Sequence, residues 1–373
     1  MRMHVSDLAS NAGSIGYSTT AIRPACVCPT ALPRKRLMLQ KSEIRLTANT
    51  PALLLAPMDG VTDASMRAVQ GEMGAFTFAV TEFIRVSQEV PPAHVFHRHV
   101  PELLTGGVTC TGLPVQIQLL GGDPERMARA ALVACNAGAT AIDINFGCPA
   151  PTVNRHDGGA TLLKFPCRIR EVVSAVRFAV PRHIPVSAKM RLGWDTIDSI
   201  HENAAMAEAG GASWVTIHGR TRVAGYQPPI FWQPIGEVKK RMSVPVVANG
   251  DIWTIEDFRS CREETGCDHF MLGRGALANP LLPLQAAAEL GLRLPTSALE
   301  SAAEIDWLAL LGRLVYYTEQ FEGPTLARKP HRIKQWLKLA ANFGEFRDFD
   351  SVKCAETAHE LLESLSKPVS LAA

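Results

Sequence analysis

Cys148 is the residue whose type and position most clearly suggest chemistry. It belongs to the run Ile142–Pro151, I-D-I-N-F-G-C-P-A-P, in which alternating apolar residues predict a buried strand. The strand ends in Asn145, Gly147 and Cys148. A cysteine between a glycine and a proline at the tip of a core strand is expected to face a cleft. A thiol with a pKa of about 8.5 is mostly protonated at neutral pH and can still release its proton.

Polar residues also follow other short apolar runs of the chain. These residues are Pro57-Met58-Asp59, Glu82, Gln118, Lys189 with Arg191, His218 with Arg220, Asn249-Gly250-Asp251 and Gly273-Arg274-Gly275. Solvation alone is a poor explanation for so many polar strand ends. The pattern therefore indicates a site assembled from the ends of several strands.

The elements that carry these residues form a repeating pattern of a short apolar run followed by a helical stretch. The runs are Leu53–Pro57, Phe78–Phe83, Val115–Leu120, Ala141–Gly147, Val186–Gly193, Trp214–Arg220, Val244–Asp251 and His269–Gly275. Helical spacing is clearest in Pro124–Gly138, Arg168–Val180, Ile200–Gly210 and Ile255–Gly266. Eight such units predict an α/β fold, a (β/α)8 TIM barrel, whose strands all end at one mouth. An open doubly wound sheet is the main alternative, but no G-x-G-x-x-G follows the first strand.

The last two strand ends suit a phosphate. Both are glycine-rich, both precede a helical segment, and Arg274 adds a cation. Lys189 and His218 are expected over the centre of the mouth, and Gln118 offers the donor and acceptor needed at the edge of a heterocycle. A cation near the ring of a flavin stabilises its reduced form. The sequence therefore predicts a flavin mononucleotide (FMN) site.

The order of several short motifs resembles the tRNA-dihydrouridine synthase family over roughly residues 53 to 340. The motifs are A-P-M-D-G-V-T-D (56–63), T-E-F-I-R-V (81–86), V-Q-I-Q-L-L-G (115–121), N-F-G-C-P (145–149), G-G-A-T-L-L (158–163), S-A-K-M-R-L-G-W (187–194), H-G-R-T (218–221), A-N-G-D-I (248–252) and G-R-G-A (273–276). T-V-N before the glycine pair and R-I-K-Q-W-L (332–337) resemble the C subfamily, whose target is uridine 16 of the D-loop. Asp59 departs from that subfamily, where glutamate is expected.

The resemblance implies an NADPH-dependent reduction of one uridine in tRNA to 5,6-dihydrouridine. In the family's mechanism the flavin delivers hydride to C6 of the base, and Cys148 is the expected proton donor to C5. Asn145, Glu82 and Arg191 are expected contacts for the target nucleotide. Residues 150–161 are interpreted as a mobile loop over the base, which must be extruded from the folded RNA.

Residues 293–373 are predicted to form a small all-helical domain. Arg332, Lys334, Gln335 and Lys338 are expected to contact tRNA, and no acidic residue occurs in Pro324–Ala340. Trp336 falls on the opposite, apolar side of the same helix and is expected in the core. If this basic face contacts only solvent, the alternative is that Arg168, Arg170 and Arg177 bind the tRNA.

The remaining composition is less specific. The chain has 373 residues and a net charge of +2, so any signal for nucleic acid must be local. The nine cysteines are scattered, and Cys26 and Cys28 are the one close pair, which indicates free thiols in a reducing compartment. We expect a cytoplasmic monomer without a membrane span. Residues 1–50 are interpreted as a disordered extension or an over-long start, with Met38 as a plausible first residue. A targeting segment is the alternative.

Two other functions share part of this pattern. A flavin barrel that reduces a free dihydropyrimidine or dihydroorotate would use the same phosphate site but would need no basic helical domain. A non-catalytic RNA-binding barrel would not need Cys148, Lys189 and His218 together. Residues 51–292 are therefore expected to be an FMN-binding barrel that carries the catalytic site.

Overall fold

The barrel is closed. The computed structural model describes residues 43–154, 158–295 and 305–366, and eight parallel strands run through it in chain order. The strands are β1 (Ala52–Leu55), β2 (Phe78–Arg85), β3 (Val115–Leu120), β4 (Ile142–Phe146), β5 (Val186–Gly193), β6 (Val215–Thr221), β7 (Val246–Asn249) and β8 (His269–Leu272). Because β1 pairs with β8, the open-sheet alternative is wrong and the TIM barrel is confirmed.

Helices cover the outside of the barrel and follow it along the chain. Those of the barrel are α1 (Ala64–Met73), α2 (Ala93–His99), α3 (Pro124–Asn136), α4 (Pro151–Asn154), α5 (Pro166–Ala179), α6 (Ile200–Ala209), α7 (Gln233–Lys239), α8 (Ile255–Thr265), α9 (Arg274–Ala278) and α10 (Leu282–Glu289). Two 3-10 helices span Pro101–Thr105 and Gly159–Lys164. Beyond the barrel lie α11 (Trp307–Glu322), α12 (Pro324–Ala327), α13 (His331–Phe343), α14 (Phe349–Val352) and α15 (Ala358–Ser366).

Helix boundaries follow local signals in the sequence. The side chain of Asp123 accepts a hydrogen bond from the N–H of Arg126 and caps α3, which begins with Pro124. At α8, Thr254 and Asp257 form a reciprocal capping box, and Gly266 ends the helix in a left-handed conformation. The four predicted helical stretches correspond to α3, α5, α6 and α8.

Strand β8 is shorter than the sequence suggested. It ends at Leu272, and Arg274 already belongs to α9. The predicted strand extended to Gly275, but Gly275 belongs to the buried part of α9. Arg274 therefore lies in the first turn of a helix and not at a strand end.

The register of the strands brings the predicted site residues together. Asn145 pairs with Lys189 across β4 and β5, and His218 pairs with Asn249 across β6 and β7. One layer deeper, Asp143 pairs with Gln118 on one side. These pairings place polar side chains from five strands within one end of the barrel.

Apolar side chains close the opposite end. Ile44 and Leu46, which precede β1, are buried against a cluster that includes Phe78, Trp214 and Met271. The predicted extension is therefore wrong at its C-terminal end, because residues 44 and 46 belong to the core. Their burial depends on partners that are distant in sequence, so no local pattern predicted it. Met38, Cys26 and Cys28 lie outside the described residues.

The C-terminal helices pack on α1. Leu314, Trp336, Leu337 and Leu361 form one buried cluster with residues of α1, and Arg313 of α11 pairs with Glu72. Residues 305–366 contain helices and turns and no strand, as the sequence predicted. Trp336 is confirmed as a core residue, with 2% of its surface exposed. No helix within the described part of the chain is long and apolar enough to cross a membrane.

The segment 150–161, interpreted from the sequence as a mobile loop, contains two short helical turns. Asn154 ends α4, and its side chain donates to the carbonyls of Cys148 and Ala150 and accepts from the N–H of Thr161. The 3-10 helix from Gly159 follows. Residues 155–157 between them lie outside the described residues. The flanks of the segment are therefore tied to the loop that carries Cys148.

Candidate active site

A cavity of about 470 Å³ opens at the mouth of the barrel. Every residue that the sequence assigned to the cofactor lines it: Pro57, Met58, Asp59, Gln118, Lys189, His218, Asn249, Gly250, Asp251, Gly273 and Arg274. Asn145, Cys148 and Arg191 line the same space. The volume is in the range of a site for one small-molecule ligand.

Cys148 is held at this cavity by a tight turn. Asn145 Oδ1 accepts hydrogen bonds from the N–H groups of Gly147 (2.8 Å) and Cys148 (2.9 Å), and Arg191 Nε donates to the carbonyl of Gly147 (2.8 Å). Burial raises the pKa of the half-buried thiol above its ordinary value, with Arg191 and Arg85 acting in the opposite direction. The thiol is therefore protonated at neutral pH.

Lys189 supplies a cation at the centre of the mouth. Its ammonium group donates to Asn249 Oδ1 at 2.8 Å, and Asn249 Nδ2 donates to the carbonyl of Met271. Burial, and then the neighbouring Arg191, lower the pKa of Lys189 to about 8. Lys189 is thus mainly charged at neutral pH and loses its charge in mildly alkaline solution.

His218 is neutral and has an unused polar atom. Burial, followed by the charges of Arg191 and Lys189, lowers the pKa of the imidazole well below its ordinary value. Its Nδ1 is buried without a hydrogen-bond partner among the described residues. Buried polar atoms are rarely left unpaired, so this nitrogen indicates a ligand or water at the site.

The phosphate end differs from the expectation in one respect. Asp251 was predicted to bind the cofactor, but its carboxylate pairs with Arg220 and, at 2.9 Å, with Arg274. A carboxylate repels phosphate, so its side chain acts by holding Arg274. The guanidinium of Arg274 also lies over the rings of Tyr226 (4.5 Å) and Trp253 (5.0 Å).

Two glycines at the cavity have no room for a side chain. Gly250 has a φ of 121°, and a Cβ atom there would lie 2.8 Å from Ile230 Cδ1 and 3.2 Å from His218 Nε2. A Cβ on Gly273 would approach Ala56 and Met58 at 3.3 and 3.4 Å. The glycines, the unpaired imidazole nitrogen and the two cations fit a planar heterocycle that carries a phosphate.

Sequence reasoning missed three aromatic residues of the cavity, which are Phe83, Tyr226 and Trp253. Tyr226 belongs to a long loop after β6, and its ring also meets the guanidinium of Arg191 at 5.2 Å. Trp253 follows the N-G-D motif by two residues. Phe83 lies within β2, and Tyr226 and Trp253 lie in the loops that follow β6 and β7, so no fixed spacing from a strand end identified them.

Glu82 lies outside the residues that line the cavity. It accepts a hydrogen bond from the N–H of Val61 at 3.1 Å, and burial raises its pKa. The side chain therefore supports the loop after β1 from behind. Its predicted contact with the target nucleotide stays a prediction without a direct geometric basis.

Arg332 does not belong to the free basic face. Its guanidinium pairs with Asp63 at 2.5 Å and donates to the carbonyls of Gly60 (3.2 Å) and Val61 (3.0 Å). These contacts hold the loop after β1, and the predicted contact of Arg332 with tRNA stays a prediction. Helical periodicity could not identify Asp63 as its partner.

Lys334, Gln335 and Lys338 lie together on the outer side of α13. Gln335 and Lys338 are exposed and Lys334 is partly exposed, while Ile333, Trp336 and Leu337 on the inner side are buried. Neither lysine forms an ion pair within the described chain. The sequence correctly separated the two faces of this helix, and the basic face remains available.

A comparison with protein families decides the identity. The model of the dihydrouridine synthase (Dus) family matches residues 54–366. This chain belongs to that family. It is 44% identical over 289 residues to the tRNA-dihydrouridine(16) synthase of Pseudomonas syringae pv. tomato, covering 77% of this chain and 89% of the relative.

Other comparisons place this dihydrouridine synthase among similar proteins. The tRNA-dihydrouridine(16) synthase of Shewanella oneidensis is 40% identical over 317 residues, which is 83% of this chain and 97% of the relative. Among solved structures, histamine dehydrogenase from Rhizobium sp. 4-9 has a TM-score of 0.49 and 15% identity, over 74% of this chain and 51% of the other. That likeness is too weak to bear on function.

Proposed function

We propose that this dihydrouridine synthase reduces a uridine of the tRNA D-loop, at position 16, to 5,6-dihydrouridine. FMN is the proposed cofactor and NADPH the reductant. The observation that carries the proposal is the position of Cys148, a half-buried thiol whose pKa burial raises, at a cavity that also contains Lys189 and His218. Two relatives are named tRNA-dihydrouridine(16) synthase, and this chain covers 89% and 97% of their lengths.

The proposed chemistry divides between cofactor and protein. FMN, when bound and reduced by NADPH, supplies the hydride that C6 of the uracil ring accepts. Cys148 gives its proton to C5, and the resulting thiolate recovers a proton from solvent. Arg191, whose charge already favours the thiolate, limits the cost of that transient charge.

Other residues of the cavity have positioning roles in this proposal. Lys189 would compensate negative charge on a bound flavin ring. Gln118 and His218 would offer polar atoms to that ring, and Arg274 would bind the phosphate, with Asp251 holding the guanidinium in place. Asn145 fixes the turn of Cys148 and has one further N–H for the uridine.

The decisive experiment measures dihydrouridine directly. Unmodified tRNA, the flavin-loaded protein and NADPH are incubated together, and dihydrouridine is mapped along the tRNA. Formation at position 16 is the expected result, and free uridine is the control substrate. Reduction of free uridine at a comparable rate would favour an enzyme of small metabolites, and a protein that neither binds flavin nor oxidises NADPH would exclude a reductase.

Removing either cofactor cation should weaken flavin retention. Lys189→Ala and Arg274→Ala each delete a charge-assisted contact of about 1.5–3 kcal/mol, so FMN affinity should fall by roughly 10- to 100-fold. Flavin fluorescence titration of the apoprotein measures this. Lys240→Ala, an exposed lysine at the end of α7, is the matched control. Wild-type affinity in both cavity variants would contradict the proposed site.

The pKa of Lys189 adds a dependence on pH. The cation is present below a pH of about 8 and is lost above it. FMN affinity of the wild-type protein should therefore decrease as the pH rises through about 8. The same titration of Lys189→Ala should lack this decrease, and an identical pH profile in the variant would assign the titration to another group.

The basic face of α13 should bind phosphates of tRNA and not bases. Replacing Lys334 and Lys338 with alanine should weaken binding of different tRNAs equally, and each lost contact should reduce the slope of log affinity against log salt by about 0.7–0.9. Filter binding at several salt concentrations measures both effects.

The control for this charge removal is the double variant Lys240→Ala with Arg241→Ala, at the end of the barrel opposite the mouth. It should leave tRNA affinity and the salt slope at wild-type values. Flavin content should be normal in both double variants. Unchanged affinity in the α13 variant would show that the tRNA is held elsewhere.

A further inference from the structure

A line of buried polar side chains runs beneath the cavity from Asp143 to Cys148. Gln118 Nε2 donates to Asp143 Oδ2 at 2.7 Å, and Asn145 Nδ2 donates to Gln118 Oε1 at 2.8 Å. Asn145 Oδ1 then accepts from the N–H groups of Gly147 and Cys148. The side chains of Asp143 and Gln118 are 2% and 0% exposed, so solvent does not compete for these bonds.

The direction of every bond in this line is fixed from its two ends. An ionised carboxylate only accepts hydrogen bonds, and a backbone N–H only donates. The amides of Gln118 and Asn145 lie between these ends, and each contributes one donor and one acceptor. A single orientation of both amides satisfies the whole line, and turning either amide over would place donor against donor and acceptor against acceptor.

The second oxygen of Asp143 belongs to a separate branch. Ser187 Oγ donates to Asp143 Oδ1 at 2.5 Å and accepts from Gln116 Nε2 at 2.9 Å. Burial raises the pKa of Asp143 to about 6, against the hydrogen bonds and the charge of Lys189, so the group is mainly a carboxylate at neutral pH. Asp143 therefore receives two donors, of which only the one from Gln118 leads toward Cys148.

We propose that Asp143 is a positioning residue for Cys148. Its carboxylate orients the amides of Gln118 and Asn145, and these amides hold the turn that presents the thiol to the cavity. The proposal rests on the proposed role of Cys148 as proton donor. It assigns a function to a side chain that touches neither the cavity nor the thiol itself.

Asp143→Asn tests this line with little change of shape. Asparagine has one acceptor oxygen and an NH2 group in place of two acceptor oxygens. Ser187 already accepts from Gln116 and needs an acceptor for its own O–H, so it competes with Gln118 for the single remaining oxygen and the bond to Gln118 weakens. Ser187→Ala is the matched control, because it removes the other hydrogen bond of the same carboxylate and leaves the line to Cys148 complete. Both variants alter the same buried layer of the barrel.

The first readout is the alkylation rate of Cys148 by iodoacetamide in the flavin-loaded protein, followed by mass spectrometry. A loosened turn exposes the thiol and moves its pKa back toward the ordinary value, so Asp143→Asn should react about tenfold faster. The exposed cysteines 110 and 167 provide internal references with unchanged rates. Ser187→Ala should react at the wild-type rate.

The second readout separates the two half-reactions. Asp143→Asn should slow the transfer to tRNA by about tenfold, in kcat and not in KM for tRNA, because the acid is misplaced while the RNA surface is intact. Ser187→Ala should keep the wild-type rate. Wild-type alkylation and transfer in Asp143→Asn, or the same changes in Ser187→Ala, would overturn the proposal.

A folding defect in Asp143→Asn does not end the test. Gln118→Met breaks the line at its next member and should accelerate alkylation of Cys148 in the same way, and an unchanged rate there overturns the proposal. Alkylation needs no tRNA. A wild-type protein that forms no dihydrouridine would therefore refute the proposed function while the alkylation result still decides the role of Asp143 in placing the thiol.

Discussion

Replacement of Cys148 with alanine should leave reduction of the bound flavin by NADPH at its wild-type rate and slow transfer to tRNA by about 100-fold or more. The first half-reaction needs no acid at C5 of a uracil ring, whereas the second does. Stopped-flow spectra of flavin reduction, and of its reoxidation by tRNA, measure the two steps separately. Cys148 is half-buried at the turn held by Asn145, so alanine fits there without new contacts.

Two further variants sharpen this result. Cys148→Ser preserves the size of the side chain but replaces the thiol with a much weaker acid, so it should resemble the alanine variant. Cys167→Ala changes an exposed cysteine of α5 and should behave as wild type. Equal slowing of both half-reactions in Cys148→Ala would indicate a structural role instead of proton donation.

Replacement of Trp336 with alanine should lower the free energy of unfolding by about 3–5 kcal/mol. The indole is buried among Trp307, Leu277 and the side chains of α11, and its Nε1 donates to the carbonyl of Leu277 at 2.8 Å. The substitution leaves a cavity and an unpaired carbonyl. Urea denaturation followed by circular dichroism measures the change.

Two variants separate the contributions at Trp336. Trp336→Phe retains most of the apolar contact but loses the N–H donor, so it should cost about 1–3 kcal/mol for the unpaired carbonyl. Lys338→Ala, on the exposed side of the same helix, should alter stability by less than about 0.5 kcal/mol. If Trp336→Ala also lowered the free energy of unfolding by less than about 0.5 kcal/mol, the placement of Trp336 in the core would be contradicted.

The sequence was sufficient to predict the barrel and the cavity residues because both depend on local periodicity. An apolar run followed by a polar end specifies a parallel strand and its mouth, and eight such runs leave little freedom of arrangement. Lys189, His218 and Gln118 could be assigned to one cavity from position alone. Trp336 was assignable because helical spacing distinguishes the inner from the outer face.

What the sequence did not predict depends on partners that are distant along the chain. Arg332 looked like part of a basic surface until Asp63, far away in sequence, appeared as its partner. Ile44 and Leu46 became core residues through Trp214 and Phe78. The direction of the amide at Gln118 likewise follows from Asp143 on the neighbouring strand, and no pattern within one strand contains that information.

The apolar closure at the lower end of the barrel has a kinetic consequence. Ile44, Leu46 and Trp214 fill that end, so ligands reach the ring-binding space from the mouth alone. An FMN bound as proposed would fill most of this space of about 470 Å³. The nicotinamide and the uracil would then compete for the remaining space, and we expect the oxidised dinucleotide to leave before the RNA base enters. Initial rates at varied NADPH and tRNA should give parallel double-reciprocal lines.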